Sequence, residues 1–539
     1  MEEGWGRTAG EVVAAGLAAH GVELVFGIPG THNLGIYAAL PAAGIGHVVP
    51  RHEQGAGYAA DAYARVTGRP GVVLTTTGPG IMNAATAAAQ AYSDSIPLLL
   101  LSPGMPRTSP PSGRGHLHEA KDQRAAMDAL VGQSIRVDNH AALAAAIADA
   151  FAGFAAARPR PVHIEIPLDM VDEIADVEIL GPLPGPRPVA NPGAVARAAA
   201  MLTAARRPLV IAGGGTAESA GPLRRLAERH AIPVLTTFNG KGTLPEDHEQ
   251  SLGAGVHSPA AADIFGEADV VLAVGTELGG ADFWNGWPEL GGRLIRLDID
   301  PAQAHLNYTA AEALIGDAGP TLARLDEAMT GDGPPDGRPT RRWRSALAAY
   351  RAAEGARWLH ALDAIHGVLA RDAIVTGDSA MACYYGAAGN LPRYLPRGFL
   401  YPTGFGTLGY ALPAAIGAKL AAPERQVVAL TGDGGLMFTI AELATAVQQE
   451  LCLPVVVFDN SGYGEIRAEM RARSMEPYAV DLAAPDFVAL AAAMGAAGAS
   501  APTPEHLATE LALALERPGP TLIVTPEASI PEGVNREGA

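Results

Sequence analysis

Cysteine is nearly missing from these 539 residues, with only Cys383 and Cys452 present. Neither belongs to a CxxC pair and both stand in apolar surroundings, which excludes a disulfide-stapled secreted scaffold and a cysteine-rich zinc module. They read as buried thiols of a reducing compartment. Positive charge is scarce too: Lys and Arg total 38 against 57 Asp and Glu, a formal net charge of −19. Nucleic acids and anionic membrane surfaces call for clustered cations, so neither is an expected partner. An anionic ligand must instead be held by backbone dipoles, a metal or a few placed cations. Long apolar runs are also lacking. The longest uncharged stretch near the N-terminus, 70–93, is broken by Gly71, Gly78, Pro79 and Gly80, which suits no membrane-spanning helix. Residues 1–7 are acidic and polar, unlike a secretory leader. The expectation is a cytoplasmic protein without membrane segments.

What the chain has in quantity is Ala, Gly and Pro, within a 48% hydrophobic, 18% charged composition typical of globular proteins. Its length exceeds what one hydrophobic core fills, so two to four domains are expected. Short apolar runs at 24–26, 47–49, 72–75, 98–101 and 162–166 alternate with helix-period segments, the pattern of an α/β domain with a parallel sheet. A Pro/Gly linker at 180–192 precedes a second such series at 209–212, 234–236, 270–274 and 294–298, and a second linker covers 331–339. A third series includes 427–430 and 454–458. The fold class is therefore α/β, with three doubly wound parallel-sheet domains at about 1–180, 190–330 and 355–530.

The densest chemistry lies at 427–467, VVALTGDGGLMFTIAELATAVQQELCLPVVVFDNSGYGEIR. An apolar strand breaks into Gly432-Asp433-Gly434-Gly435, a helix-period segment runs to Glu450, and a second strand delivers Asp459-Asn460-Ser461-Gly462. Parallel neighbours bring Asp433 and Asn460 together at the carboxyl edge of a sheet. One carboxylate and one amide oxygen, beside glycines whose N–H groups can approach phosphate, suit a diphosphate carried with a hard cation such as Mg2+. An ordinary strand–turn–helix unit is the other reading of a GDGG taken alone.

Glu53, in RHEQGAG, follows a strand and precedes a small-residue helix predicted over 56–66. There a carboxylate can meet a ring pressed against bare backbone, or it can be a first-turn Glu stabilised by the helix dipole. Thr77-Gly78-Pro79-Gly80 follows the next strand, with Asn83 expected to open another helix. His116 and His118 follow the proline-rich loop 103–111. Metal ligation, proton shuttling and simple solvation are all open to such an HxH pair. Gly213-Gly214-Gly215 can hold a nucleotide phosphate or merely turn the chain.

GDG followed about two dozen residues later by an Asn loop resembles the cofactor signature of thiamine diphosphate enzymes. HEQGAGYAADAYAR, TGPG and AYSDSIPLL are similar to the pyrimidine-binding domain of the acetolactate synthase and pyruvate oxidase group, and the likeness covers nearly the whole chain. It implies thiamine diphosphate and Mg2+ as cofactors. Asp433, Asn460 and the Gly462 carbonyl become metal ligands, and Gly80, Asn83, Ser379, Gly434, Gly435 and Tyr463 line the cofactor. Glu53 becomes the group that protonates its aminopyrimidine, Leu408 the wedge that bends it, and Gly406 the carbonyl that accepts its amino proton. His118 is the implied acid/base with His116 behind it, while Thr31 and His32 border the site. Asp459 stands where the family has Asn, and Ser379 stands in a segment where acetolactate synthases place Gln and His. The central domain binds FAD in some members and nothing in others; no FAD pattern appears here, so a structural domain is expected.

In such enzymes the first and last domains of opposite subunits meet over the cofactor, which implies a homodimer or homotetramer. The implied reaction is decarboxylation of a small-molecule 2-oxo acid to an aldehyde through an enamine. Acetolactate synthase-type carboligation and a non-catalytic cofactor-binding paralogue are the alternatives. Glu465 occupies a position that is apolar and substrate-facing in relatives. With Tyr463 and the GRGHLHE loop it resembles the branch that decarboxylates 5-guanidino-2-oxopentanoate, whose cation would meet the carboxylate. The other reading is a solvated Glu among Arg467, Arg471 and Arg473.

Overall fold

The computed structural model describes residues 6–109, 113–183, 187–330 and 338–527. Residues 110–111 of the proline-rich loop, 184–186 of the first linker and 331–337 of the second lie outside the described residues. Three six-stranded sheets carry the fold, and every pairing within them is parallel. The first comprises β1 (Leu24–Gly27), β2 (Gly46–Val48), β3 (Gly71–Leu74), β4 (Leu98–Gly104), β5 (Gln133–Arg136) and β6 (Val162–Pro167), in the order β2-β1-β3-β4-β6-β5. The second comprises β7 (Pro208–Ala212), β8 (Val234–Thr236), β9 (Ser251–Ala254), β10 (Val270–Val274), β11 (Arg293–Asp298) and β12 (Glu312–Ile315), in the order β9-β8-β7-β10-β11-β12. The third comprises β13 (Ile374–Gly377), β14 (Phe399–Leu400), β15 (Val427–Gly432), β16 (Leu453–Asp459), β17 (Ala497–Ser500) and β18 (Pro520–Pro526), in the order β14-β13-β15-β16-β18-β17. A short antiparallel pair, Arg7–Thr8 with Ile174–Ala175, stands apart.

Central strands are continuous apolar runs because helices cover both faces. Leu98 to Leu101 and Val455 to Phe458 are all 0% exposed. The unanticipated strands β5, β9, β12, β14 and β17 lie at sheet edges. QSIR, SLGA and AGAS need no apolar run, since an edge strand is only partly enclosed. β13 and β18 are interior strands that were also not anticipated.

The chain forms two compact units. One holds 1–186 together with 413–422 and 441–448; the other holds 187–412, 423–440 and 449–539. The first sheet thus gathers two segments from far down the chain into its own unit.

In each sheet relevant to chemistry the motifs leave from the carboxyl ends of strands, where doubly wound sheets bind ligands. In the first unit Thr31–His32 follows β1, Glu53 follows β2, Thr77–Gly80 follows β3 and the histidine loop follows β4. In the second unit Asp378–Ser379 follows β13, the Leu408 turn follows β14, Asp433 follows β15 and Asn460 follows β16. Helix α1 (Glu53–Thr67) begins on Glu53 itself, and α2 (Pro79–Asn83) is closed by Asn83, not opened by it.

The single helix expected between Asp433 and Glu450 is divided into α3 (Asp433–Leu436) and α4 (Glu442–Gln448). Gly434 and Gly435 are weak helix formers. Thr439 turns away to donate its hydroxyl to Gly409 O at 2.8 Å, which ends the first piece. Among the described residues no helix is long and apolar enough to cross a membrane. Neither cysteine is in a disulfide; Cys383 is buried and Cys452 only half-buried.

Candidate active site

In the first unit Glu53 is 8% exposed, and its Oε2 accepts a 2.9 Å hydrogen bond from Asn83 Nδ2. Gly80 lies against the other oxygen: a Cβ there would stand 3.3 Å from Oε1. Burial first, and the charge of Glu53 second, push the Tyr37 hydroxyl pKa up. Glu53, Gly80 and Asn83 are therefore one cluster.

The start of α1 is held by a residue that sequence reasoning missed. Glu442, at the start of α4, accepts the backbone N–H of Arg51 at 3.1 Å and that of His52 at 3.0 Å, and it accepts the Thr445 hydroxyl at 2.7 Å. A Cβ on Gly55 would come within 2.3 Å of its Oε1. A carboxylate seated here faces the positive end of α1 and takes the two N–H groups that lead into it. Burial raises the Glu442 pKa, and the bonds from Thr445, Arg51 and His52 oppose that rise.

His118 is half-buried with φ of 63°, its backbone carbonyl packed on Gly78. Its ring lies 5.0 Å from that of His32, edge to face. The Nδ1 atoms of both rings are buried without a protein partner. Burial, then the neighbouring His118, lower the His32 pKa. His116, the second candidate, is exposed and bonds Ser109 Oγ at 3.2 Å. Gln123, buried, fixes the intervening turn by accepting Gly78 N–H at 2.7 Å.

In the second unit Asp433 is 3% exposed. Its Oδ2 accepts Gly462 N–H at 2.8 Å and its Oδ1 accepts Asn460 N–H at 3.3 Å. Desolvation raises its pKa, with the Asn460 and Gly462 N–H groups pulling the other way. Asn460 Oδ1 is buried with no protein partner. Asp459 has a plain task. Its Oδ1 accepts Ser461 N–H at 2.9 Å, an Asx turn that supports Ser461 at φ 55°. A Cβ on Gly434 would lie 3.1 Å from the Tyr463 ring, and one on Gly435 3.2 Å from the Asp378 carboxyl carbon.

This donor set fits a diphosphate with a hard cation: one carboxylate, one orphaned amide oxygen and glycine N–H groups on a strand end. Among the described residues no group of three or more His, Cys, Asp and Glu gathers around a point. A cation here would take few protein oxygens and complete its shell from phosphate and water, as Mg2+ does.

Asp378 is a second positioning residue that was missed. It is 1% exposed and accepts N–H groups from Ser379 at 2.8 Å, Gly409 at 2.9 Å and Ala411 at 3.4 Å, plus the Thr431 hydroxyl at 3.2 Å. Burial raises its pKa against those bonds. With Thr439 on the Gly409 carbonyl, Asp378 pins the residue after Leu408, which stands half-buried between exposed Gly406 and fixed Gly409. Ser379 N–H is spent on Asp378, leaving its hydroxyl for other work.

Glu465 lies in α5 (Gly464–Ala472). It takes a 2.7 Å hydrogen bond from Tyr385, and burial first, then the charge of Glu465, raise the pKa of the neighbouring Tyr384 hydroxyl. The surface arginines use other acids: Arg467 pairs with Asp481 at 2.8 Å and Arg473 with Glu469 at 2.7 Å. The helix start is seated on the Asn460 loop, since a Cβ on Gly464 would lie 2.7 Å from Asn460 Nδ2. In the central sheet, Gly213 and Gly215 serve close packing: a Cβ on Gly213 would come 2.2 Å from Gly275 O.

Comparison with known families identifies the class. Three models of thiamine pyrophosphate enzymes match in succession: the N-terminal TPP binding domain over 7–126, the central domain over 195–325 and the C-terminal TPP binding domain over 380–525. The chain belongs to the thiamine pyrophosphate enzyme family. Among curated proteins it is 43% identical to the probable 2-ketoarginine decarboxylase AruI of Pseudomonas aeruginosa, over 96% of this chain and 93% of that one. It is 36% identical to the acetolactate synthase large subunit of Parasynechococcus marenigrum, over 94% and 85% of the two chains. The acetolactate synthase isozyme 3 large subunit of Escherichia coli is 34% identical, over 94% and 92%.

Proposed function

We propose that this protein is a thiamine diphosphate- and Mg2+-dependent decarboxylase that converts 5-guanidino-2-oxopentanoate, the 2-oxo acid of arginine, to carbon dioxide and an aldehyde. The observation that carries the reading is the Glu53–Asn83 pair, a buried carboxylate with one oxygen tied and the other lying against glycine. Residues 1–180 would supply the pyrimidine side, 190–330 a structural centre and 355–530 the diphosphate side.

Thiamine diphosphate, when bound, supplies the nucleophilic carbon and the electron sink for loss of carbon dioxide. Asp433, the free Oδ1 of Asn460 and the Gly462 carbonyl would hold Mg2+, and the N–H groups of Gly434 and Gly435 would meet phosphate. Asn83 fixes Glu53 so that its other oxygen shares a proton with the pyrimidine ring. Leu408 shapes the cofactor from a turn anchored by Asp378, and Gly406 offers its carbonyl. His118 delivers the proton that replaces carbon dioxide on the carbonyl carbon. Glu465 meets the guanidinium, and decarboxylation, being redox-neutral, needs no FAD.

Phe405, Met437 and Phe438, beside these turns, are 52%, 45% and 53% exposed. Apolar side chains so exposed around a site fit cover by a second copy, and we assign a homodimer or a homotetramer built from it. Two cysteines outside any disulfide fit the cytoplasm.

A second reading, carboligation of two 2-oxo acids, draws on the acetolactate synthases among the relatives. Assay of enzyme loaded with thiamine diphosphate and Mg2+ separates the two, with Glu53→Gln as blank. Carbon dioxide plus guanidino aldehyde from 5-guanidino-2-oxopentanoate, and little from pyruvate, is the expected result. Acetolactate from pyruvate replaces the decarboxylase with the carboligase.

A further inference from the structure

We propose that Tyr384 and Tyr385 determine substrate specificity by presenting Glu465 as an oriented anion to a planar, hydrogen-bonding cation. The inference rests on the reading that Glu465 faces the substrate, and it adds two residues to which no role has been assigned.

Adjacent residues of an α-helix point about 100° apart, so two consecutive side chains seldom serve one acceptor. Here the segment is a π-helical turn, Ala382–Ala387, whose wider winding brings successive side chains closer in direction. The Tyr384 and Tyr385 rings stand 4.4 Å apart at 70°; the Tyr385 hydroxyl donates to Glu465 at 2.7 Å, and the Tyr384 hydroxyl lies within the electrostatic reach of the same carboxylate. Such turns are rare and concentrate at working sites.

The electrostatics point the same way. Glu465 is half-buried and has no cationic partner among the described residues. Tyrosine hydroxyls satisfy part of its hydrogen-bonding capacity without neutralising it. A carboxylate offers about four lone-pair positions, so the Tyr385 donor leaves enough for a two-pronged ligand, with Tyr384 beside them. A guanidinium fork fills two parallel positions at once; a spherical ammonium without N–H groups fills neither. An arginine or lysine in place of the tyrosines would consume the charge that the substrate needs. The chain also fixes where this anion sits, because Gly464 packs on Asn460 and on Met381 of the segment leading into the π-turn.

The test uses holoenzyme and three 2-oxo acids of similar length: 5-guanidino-2-oxopentanoate, 5-trimethylammonio-2-oxopentanoate and neutral 2-oxohexanoate. Tyr384→Phe, Tyr385→Phe and the double variant are compared with wild type. Alongside, calorimetry measures binding of 5-guanidinopentanoate, which lacks the reacting group. Each single variant should raise KM for the guanidino acid about tenfold and weaken 5-guanidinopentanoate to match, the worth of one hydrogen bond to a charged group. The kcat should change less than threefold, and KM for 2-oxohexanoate should hold or fall.

Guanidino preference and 5-guanidinopentanoate affinity retained by the double variant would overturn the role of the tyrosines while leaving the site reading intact. A wild type that shows no preference for the guanidino acid overturns both. If Tyr385→Phe does not fold, Tyr384→Phe carries the same comparison.

Discussion

Removing Glu442 should disable Glu53 from a distance, because the two meet at the same helix start. Glu442→Ala strips the acceptor from the N–H groups of Arg51 and His52, bonded now at 3.1 and 3.0 Å. A hydrogen bond to a charged group contributes about 1.5–3 kcal/mol, and an anion at a helix N-terminus about 0.3–2 kcal/mol. Part of that sum is offset by no longer burying a carboxylate, which the upward pKa shift registers. A net destabilisation of about 3 kcal/mol follows, on the order of two such bonds less the burial cost. The catalytic loss should be larger in consequence. If α1 slides by about an ångström, Glu53 leaves its geometry, and misplacement on that scale costs about a hundredfold in kcat. Glu442→Gln keeps one acceptor oxygen and should cost about 1 kcal/mol and less than tenfold in rate. The assay pairs thermal unfolding with kcat at saturating thiamine diphosphate and Mg2+, repeated in a Glu53→Gln background. If Glu442 acts through Glu53, its removal from that background costs no further rate. Lower stability with unchanged kcat, or an equal rate loss with and without Glu53, would refute the coupling.

Glu53→Gln should cost at least about a hundredfold in turnover, the usual worth of a positioned proton-transfer group, with thiamine diphosphate affinity by calorimetry nearly unchanged. Asp433→Asn should weaken Mg2+, titrated into chelator-washed enzyme, by more than the ~10–100-fold that loss of an outer-shell partner costs. His163 yields a pH prediction. It is fully buried between Ser102 and Ser134, and desolvation holds its pKa at about 3 against an ordinary 6.5. Between those values the unfolded chain binds a proton that the folded chain refuses, so stability is at its plateau above pH 6.5 and falls as pH drops toward 3. The slope should be about 1.4 kcal/mol per pH unit, and denaturant melts of His163→Asn should lack that component relative to wild type.

The parallel α/β order was legible because strands buried on both faces are apolar without interruption, as Val455 to Phe458 are. Edge strands such as QSIR and AGAS left no such mark. The break after Leu436 was illegible for another reason. A helix-period pattern continues through 437–441, but beside the weak helix formers Gly434 and Gly435 the tertiary bond from Thr439 to Gly409 draws the chain away. Local propensity lost there to a contact between distant segments.

The same division governs the site. Residues of the motifs, Glu53, Asp433 and Asn460, end strands or open helices beside glycines, a local arrangement that a sequence exposes. The residues that hold them do not share it. Asp378 and Glu442 act on backbone N–H groups 31 and 391 positions away. An acceptor for backbone N–H groups asks nothing of the identity of its partners, so no residue pattern at the far end announces it. The motifs were therefore readable in sequence, whereas the buried acids that brace them look like any Asp after a strand or any Glu opening a helix. For Glu465 the ambiguity between pocket and surface was real, because Arg467 and Arg473 are its near neighbours in the chain. The 2.7 Å bond that Glu465 takes from Tyr385, 80 positions earlier, is a contact that no local pattern announces.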